Sequence, residues 1–313
     1  MTSPPSVTIG ITCFNAEKSI ERCVESAINQ NYSNFNIIVV DDSSSDSSYS
    51  RLLRYRSPIV TLIRNPVNLG CSSSRNIIVS HSSADFICFL DDDDLCHPDR
   101  LSLQVQSLLE SGVQSSSYIV SVPSMIRKYS SGYTKYYAAL GTFGTPPTSF
   151  QLIDYLLFNR RAHGVDYGYC CPTSSFMTTR QLLLDAGLFD PSMKRVEDND
   201  IVIRFCFLSC RFVGIDKVLL YQSSSSSSYK SHRINLLSEL RLIRKHKKYL
   251  DSRHMYRYSR LSVFLRYFYF ARRLDLFILY FTSLFIDKPL YCLTHYSRTF
   301  LRRGLHDFRI RFG

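Results

Sequence analysis

The sequence has 313 residues with 45% hydrophobic, 13% aromatic and 20% charged side chains, a composition typical of globular chains that excludes disorder for most of it. No stretch approaches the roughly 18 uninterrupted apolar residues that a spanning helix needs, which excludes a multipass membrane protein. The net charge of +12 is uneven: residues 1–120 hold 8 Lys and Arg against 13 Asp and Glu, whereas residues 223–313 hold 19 against 5. We therefore predict two parts, residues 1–222 and a basic part at 223–313.

Apolar runs alternate with segments of helical periodicity in the first third of the chain. The predicted strands cover residues 7–11, 35–40, 59–63 and 86–90, and the predicted helices lie near residues 20–28, 49–55 and 75–80. This alternation predicts an α/β fold with a Rossmann-like, mostly parallel sheet covered by helices on both faces. The N-terminus lacks the basic and apolar regions of a signal peptide, so we expect a cytoplasmic chain.

The rest of the chain is less regular. We predict loops or a small excursion at residues 132–147, a strand or strand-like run at 173–179, helices at 180–186 and from about 198, and strands near 212–215 and 218–221. Residues 223–228 are six serines, too polar to pack, and predict a flexible loop at the boundary between the two parts. The ten cysteines include no C-x-x-C pair, so we interpret them as reduced structural thiols.

Acidic residues follow two of the predicted strands, at the edge where parallel sheets bind ligands. Residues 91–94 are four consecutive aspartates after the fourth strand. A hard divalent ion, Mg²⁺ or Mn²⁺, held together with substrate phosphates would offset their mutual repulsion. The alternative is a solvated acidic turn that caps the helix beginning near Pro98. Asp41 and Asp42, after the second strand, either accept hydrogen bonds from a nucleotide or cap the next helix.

Two further charged positions also allow a functional and a structural interpretation. Arg75 either contacts a nucleotide, by binding its diphosphate or stacking on its base, or lies at the surface as an ordinary solvated side chain. Glu197 and Asp198 stand at the start of a predicted helix, where acidic residues stabilise the positive end of the helix dipole or supply a general base.

Five segments together resemble one family. In order and spacing, they are VTIGITCFNAEKSIERCVESAINQNYSNFNIIVVDDSSSD, NPVNLGCSSSRN, DFICFLDDDDLCHPDRL, CPTSSFMTTRQLLLDAGLFD and EDNDIVIRF. They resemble family 2 glycosyltransferases of the GT-A fold over about residues 6–222. The resemblance implies an inverting enzyme that transfers a sugar from a nucleoside-diphosphate sugar, with UDP favoured, to an acceptor hydroxyl in a metal-assisted step.

The resemblance also implies roles for the residues that match the motifs of this family. Thr12, Phe14 and Asn15 stand where the first strand meets the nucleotide. Asp42 corresponds to the aspartate that binds the uracil ring, with Asp41 beside it.

The resemblance assigns the remaining site residues in the same way. Arg75 corresponds to the arginine of the N-x-G-x-x-x-A-R-N stretch. Residues 91–93 correspond to the D-x-D motif, in which Asp93 and Asp91 would ligate the metal and Asp91 and Asp92 would face the ribose or donor sugar. Asp198 would be the catalytic base, with Glu197 as the reserve candidate.

Three features depart from the pattern of this family. Ser43 replaces the usual Gly after the paired aspartates, and Ser74 replaces the Ala before the arginine. No Q-x-x-R-W motif is present, since Tyr221 and Gln222 run into the serine tract, so we expect non-processive transfer. The tract occupies the place of a loop that often closes over the diphosphate, which leaves any role of Lys230 or His232 open.

The basic, aromatic residues 223–313 allow three interpretations. Anionic lipid headgroups would attract the cations while the aromatic side chains settle at the bilayer interface. This membrane interpretation is the one we favour; it would place the tail on the inner face of the cell membrane, near a lipid-linked or cell-surface glycan acceptor. Plain helical packing with a solvated basic face is the second interpretation, and we do not expect nucleic acid as a partner.

Two rival functions remain at this level. A sugar nucleotidyltransferase also places acidic metal ligands on a doubly wound sheet, but its glycine-rich phosphate loop is missing, since Gly10 stands alone between residues 7 and 15. A catalytically silent sugar-nucleotide-binding scaffold is the other rival, and the presence of both Asp93 and Asp198 argues against it.

Overall fold

Nine strands form a mixed β-sheet in the structure, a computed structural model that describes residues 3–113, 118–223 and 231–296. The strands are β1 (Val7–Cys13), β2 (Phe35–Asp41), β3 (Val60–Arg64), β4 (Phe86–Asp91), β5 (Leu95–Cys96), β6 (Ile119–Lys128), β7 (Thr134–Tyr137), β8 (Met177–Thr179) and β9 (Arg211–Ser223). Their order is β3-β2-β1-β4-β8-β6-β9-β5, with β7 paired to β6. The long ladders β3-β2-β1-β4 and β6-β9 are parallel and the short ones are antiparallel, which confirms the mostly parallel sheet.

Helices cover both faces of this sheet. They are α1 (Ile20–Ile28), α2 (Ser48–Leu52), α3 (Cys71–His81), α4 (Arg100–Glu110), α5 (Ser149–Phe158), α6 (Arg180–Asp185), α7 (Glu197–Phe207), α8 (His232–Lys245), α9 (Lys247–Ser252), α10 (Tyr256–Phe270) and α11 (Leu274–Asp287), with a final helical segment at residues 289–296. Alternate strand residues enter different cores: Ile37 and Val39 pack with α1 and α4, whereas Ile38 and Val40 pack with α3, α5 and α7. The predicted α/β class is confirmed.

Gly10 allows α3 to approach the sheet closely. A Cβ at this position of β1 would lie 2.6 Å from Cγ2 of Ile78 and 3.1 Å from Cδ1 of Phe89. The missing side chain thus brings the helix that carries Arg75 directly against the strand that leads into the candidate site.

Three predictions in the middle of the chain are correct only in part. Residues 134–137, predicted as part of loops or a small excursion, form β7 because they pair with β6 as a hairpin. The two strands expected at 212–215 and 218–221 are one continuous strand, β9, whose register shifts beside Pro123 of β6. The strand expected at 173–179 is confined to Met177–Thr179.

The C-terminal helices share a core with the sheet. Leu242, Ile243 and Leu250 of α8 and α9 are buried in the same cluster as Phe89 of β4 and Phe205 of α7. The hydrophobic core is therefore continuous across the predicted boundary at residue 222. Ser223 ends β9, and the rest of the predicted serine loop, with Lys230, lies outside the described residues. No helix within the described ranges is long and apolar enough to cross a bilayer.

Candidate active site

The carboxyl ends of three parallel strands are tied together by hydrogen bonds. The amide of Phe14, after β1, donates to Oδ2 of Asp92, after β4, at 2.9 Å. The amide of Asn15 donates to Oγ of Ser44, after β2, at 3.0 Å, and Oδ1 of Asn15 accepts from the Ser45 amide at 2.9 Å. The structure thus brings these predicted residues to one edge of the sheet.

Asp42 is buried and holds the turn that leads into α3. Its carboxylate accepts hydrogen bonds from Nδ2 of Asn65 at 2.7 Å, the Leu69 amide at 2.9 Å and the Gly70 amide at 2.8 Å. Asn65 also donates to Oγ of Ser74, which places the Ser that departs from the pattern of the family inside this network. Asp42 therefore fixes where α3 begins and, with it, the position of Arg75 on that helix.

Asp41 lies next to Asp42 but contacts different groups. Its Oδ2 is 3.2 Å from Nε of Arg64 and accepts from the Ser44 amide, while its Oδ1 is buried without a hydrogen-bond partner. Ser43, the residue after Asp42, has φ = 63°, in the left-handed region that favours glycine. This backbone conformation explains why the family usually has glycine at the position of Ser43.

The four aspartates after β4 have different environments. Thr12 of β1 pairs in register with Asp91, at the sheet edge. Asp94 points inward: its Oδ2 accepts from Nε2 of Gln222 at 2.8 Å and its Oδ1 from the Ser223 amide at 3.3 Å. Burial, together with the charges of Asp91 and Asp93, raises the pKa of Asp94 well above its usual range. Asp94 therefore anchors the end of β9 beside the acidic run.

The acidic run fits a cation that is held jointly with a substrate. Within the described ranges, no three His, Cys, Asp or Glu side chains converge so that they could hold a metal ion by themselves. Burial, with the charges of Asp93 and Asp91, raises the pKa of Asp92 to about 7. One or two carboxylates completed by phosphate oxygens is the usual environment of Mg²⁺, and Asp91 and Asp93 offer that donor set.

Arg75 joins the acidic run to the start of α7. Its Nη2 donates to Oδ1 of Asp91 at 3.1 Å, its Nη1 donates to Oε1 of Glu197 at 2.9 Å, and its Cζ lies 5.4 Å from the centre of the Phe189 ring. The side chain is only 5% exposed, so the second interpretation of Arg75, an ordinary surface arginine, is excluded. One guanidinium thus joins the carboxyl end of β4 to the start of α7.

Asp198 follows Glu197 at the start of α7. Burial and the neighbouring charge of Glu197 raise the pKa of Asp198 to about 6. The charge of Arg75 lowers this pKa and that of Asp91 raises it. Val196, just before the helix, has φ = 58°, a strained conformation for a β-branched residue. Strain and a raised pKa at the same helix start are typical of functional sites.

Two residues near the site were given no role from the sequence. Gln222 links Asp94 to Oγ of Ser174, and its Oε1 accepts from Arg127 at 2.6 Å. Cys71, the first residue of α3, has its Sγ 3.9 Å from Oε1 of Glu197. The acidic tetrad was the available signal for Gln222, because a carboxylate that is buried, as Asp94 is, needs a hydrogen-bond donor.

The family model described as "Glycosyl transferase family 2" matches residues 8–171, about half of the sequence and all three strand ends described above. The chain belongs to this family. Relatives include WfgD of Escherichia coli, named a UDP-Glc:alpha-D-GlcNAc-diphosphoundecaprenol beta-1,3-glucosyltransferase, which is 31% identical over 34% of this chain and 42% of that protein. EpsE of Bacillus subtilis, a putative glycosyltransferase, is 34% identical over 34% of this chain and 40% of that protein. The matches thus span less than half the length of these two relatives.

A solved structure shows the same fold. TarS 1-349 of S. aureus, determined in complex with UDP-GlcNAc, is similar with a TM-score of 0.59 and 15% identity over 84% of this chain and 80% of that chain. At this identity the likeness concerns the fold alone, and it confirms the GT-A expectation. The chain therefore belongs to a family of glycosyltransferases, whereas its own reaction and the roles of individual site residues stay predictions.

Proposed function

We propose that this glycosyltransferase transfers a sugar from a UDP-sugar to a hydroxyl group of a lipid-linked or cell-surface glycan, with inversion and without processivity. The observation that carries the proposal is the placement of Arg75 between Asp91 and Glu197. Arg75 joins an acidic run suited to a metal-bound nucleoside diphosphate with a helix start that bears a candidate base, Asp198.

Known proteins support the choice of substrates. The name of WfgD gives UDP-glucose as its donor and a diphosphoundecaprenol-linked sugar as its acceptor, and TarS was crystallised with UDP-GlcNAc. We infer that the present chain uses the same chemical classes. Because such an acceptor resides in a bilayer, the reaction would occur at the inner face of the cell membrane, with residues 223–313 in contact with that surface.

The proposed reaction is a single displacement. Asp198 would accept the proton of the acceptor hydroxyl while its oxygen attacks the anomeric carbon, and the bond to the nucleoside diphosphate would break on the opposite side. Arg75 would hold Glu197 away from the hydroxyl and keep the helix start in place. Asp91 and Asp93 would hold Mg²⁺ or Mn²⁺, which when bound offsets the charge on the departing diphosphate.

The nucleotide would lie along the edge formed by the strand ends. Thr12, Phe14 and Asn15 would contact it from β1, and Asp42, with Asp41 beside it, would bind the base. Asp92 would face the ribose or donor sugar. Both aspartates after β2 already order loops at this edge, which supports a preformed nucleotide site.

Calorimetric titration with UDP, with and without Mn²⁺, tests the nucleotide part of this proposal. We expect Mn²⁺ to tighten UDP binding to the wild-type chain, and Asp93→Asn to remove the dependence on Mn²⁺. Asp85→Asn is the matched control, because Asp85 precedes the same strand at the opposite edge and its carboxylate accepts hydrogen bonds from Ser6. Absence of UDP binding to the wild type would contradict the proposal.

Turnover separates an enzyme from a silent binder. A screen of UDP-sugars for metal-dependent donor hydrolysis identifies the donor, and Asp198→Asn should then lower the rate by about 10² to 10⁴-fold with UDP binding retained. Tight UDP binding without hydrolysis of any donor would favour the silent scaffold. Formation of a UDP-sugar from UTP and a sugar phosphate would favour the nucleotidyltransferase.

A further inference from the structure

The outward side of the last helices is apolar. Seven large side chains on α11 and the segment 289–296 are between 39% and 79% exposed: Leu274, Ile278, Leu279, Phe285, Ile286, Leu290 and Leu293. We call these residues the outer apolar face. Ile278 is four residues from Leu274, seven from Phe285 and eight from Ile286, and these separations place the side chains on one side of α11, where a helix at a protein surface normally carries polar residues.

The opposite side of α11 already fixes the helix on the protein. Tyr280 packs against the rings of Phe264 and Phe268 of α10, with centroids 5.2 and 5.1 Å away, and Leu284 is fully buried. The packing that holds α11 in place is thus centred on the side opposite the outer apolar face. Contiguous exposed apolar surface of this kind marks an interaction site.

Basic side chains lie at both ends of the outer apolar face. Arg272 and Arg273 precede α11, where Nη2 of Arg273 lies 2.7 Å from Oδ2 of Asp275. Lys288 follows α11, and Nε of Arg257 lies 3.7 Å from Oδ1 of Asp287 at its far end. Residues 223–313 carry 19 basic against 5 acidic side chains, so an anionic partner is favoured. An apolar strip bordered by cations complements a bilayer surface that contains anionic lipids.

We propose that the outer apolar face inserts into the interfacial region of an anionic bilayer and docks the enzyme on it; the choice of a bilayer over a protein partner rests also on the proposed lipid-linked acceptor. α11 has 14 residues and is about 21 Å long, shorter than the roughly 30 Å of a bilayer core. It therefore lies in the plane of the interface, with Arg272, Arg273 and Lys288 at headgroup level.

Tryptophan fluorescence tests the insertion directly, because the natural chain contains no Trp. Ile286→Trp places a single indole on the outer apolar face. Leu53→Trp is the control and places one on a 3₁₀ turn within residues 1–222, where Leu53 is 47% exposed. With vesicles of equal parts phosphatidylglycerol and phosphatidylcholine, the emission of Ile286→Trp should move to shorter wavelength and be quenched by brominated acyl chains. Leu53→Trp should show neither effect.

Flotation with the same vesicles measures the contribution of the face to binding. Wild type should float, and Ile286→Asp with Leu290→Asp should lower its partition constant by at least about 100-fold, about tenfold for each buried side chain lost. Leu53→Asp, the matched control, should float like wild type. Retained melting temperature and UDP binding in each variant show that the fold is intact.

Several results would overturn the proposal. One is an Ile286→Trp emission that does not respond to vesicles, or that is already at short wavelength without them, as when residues 297–313 cover the face. Another is a dimer in sedimentation experiments that the double Asp variant dissociates, which would assign the face to a second copy of the chain. Loss of UDP binding in wild type would refute the proposed function and leave these readouts unaffected.

Discussion

At the scale of single residues, the raised pKa of Asp198 gives the proposed reaction a defined pH dependence. A general base must be deprotonated to accept a proton, so the rate should rise with pH, reach half its maximum near the folded-state pKa of about 6, and level off above it. An ordinary aspartate would reach its plateau about two pH units lower. Single-turnover transfer rates at saturating donor measure this profile.

The neighbour of Asp198 supplies the control for that profile. Glu197→Gln removes a negative charge that helps to raise the pKa of Asp198 and releases Arg75 from one of its two carboxylate partners. Both changes favour the ionised base, so the midpoint should shift to lower pH with the plateau largely retained. If Glu197→Gln instead abolished transfer while Asp198→Asn remained active, the base would be Glu197.

Ser43 gives a second prediction at this scale. Its φ of 63° costs a residue with a Cβ roughly 1 kcal/mol relative to glycine, so Ser43→Gly should raise the free energy of unfolding by about that amount. Ser45→Gly, two positions on, should lower it, because glycine there adds chain entropy and removes the hydroxyl that contacts Asn15. Urea unfolding of both variants measures the difference, and a destabilised Ser43→Gly would contradict the strain argument.

At the scale of elements, the contact between α3 and β1 depends on the absence of a side chain at Gly10. Gly10→Ala would force the new Cβ against Cγ2 of Ile78, so we expect a loss of about 1–3 kcal/mol in the free energy of unfolding. The same change in an Ile78→Ala background should cost clearly less, since the clashing methyl group is gone. Equal costs in the two backgrounds, measured by urea unfolding, would show that the contact is not the cause.

A buried ion pair network connects the helix of the candidate base to the C-terminal helices. Asp200 of α7 is fully buried, and its carboxylate binds Nη2 of Arg204 at 2.8 Å, Nζ of Lys245 at 2.9 Å and Nε2 of His246 at 3.1 Å. Against the opposing effect of burial, these three partners lower the pKa of Asp200 below its ordinary 3.8. The ionised carboxylate is therefore the form that stabilises the fold.

Asp200→Asn tests this network. It leaves the cationic partners uncompensated, so we expect a loss of about 3 kcal/mol in the free energy of unfolding at neutral pH. Because the folded pKa is lowered, the contribution of Asp200 is present above about pH 4 and is lost as pH falls through the folded pKa. The gap between wild type and Asp200→Asn in urea unfolding should thus be constant near neutrality and shrink in acid; a gap that widens in acid would contradict the assignment.

At the scale of the whole molecule, local patterns predicted the parallel half of the sheet and missed most of the other half. The strands near residues 7, 35, 60 and 86 are continuous apolar runs, which periodicity detects. β6 was not predicted because it contains Pro123 and the buried Ser121 and Ser124, residues that form a strand only through pairing with β8 and β9.

The candidate site likewise has residues that the sequence located and contacts that it did not. The rule that ligands bind at strand ends located residues 12–15, 41–42 and 91–94, because that rule needs only the order of the elements. The link from Arg75 to Glu197 spans 122 residues of sequence and the link from Gln222 to Asp94 spans 128. Contacts over such separations depend on the folded sheet, and no spacing in the sequence encodes them.

The shared core bears on the predicted boundary at residue 222. Burial of Leu242, Ile243 and Leu250 against residues 1–222 stabilises the fold by about 1.5–3 kcal/mol for each side chain. The sum for the three side chains is comparable with the whole stability of a typical domain. A chain that ends at residue 222 also lacks Lys245 and His246, and so leaves Asp200 without two of its three partners. We therefore expect this truncated chain to lose cooperative thermal unfolding and UDP binding, whereas the full chain retains both. Circular dichroism and UDP titration measure these properties, and a truncated chain that melts cooperatively and binds UDP like the full chain would establish residues 1–222 as an autonomous domain despite the continuous core.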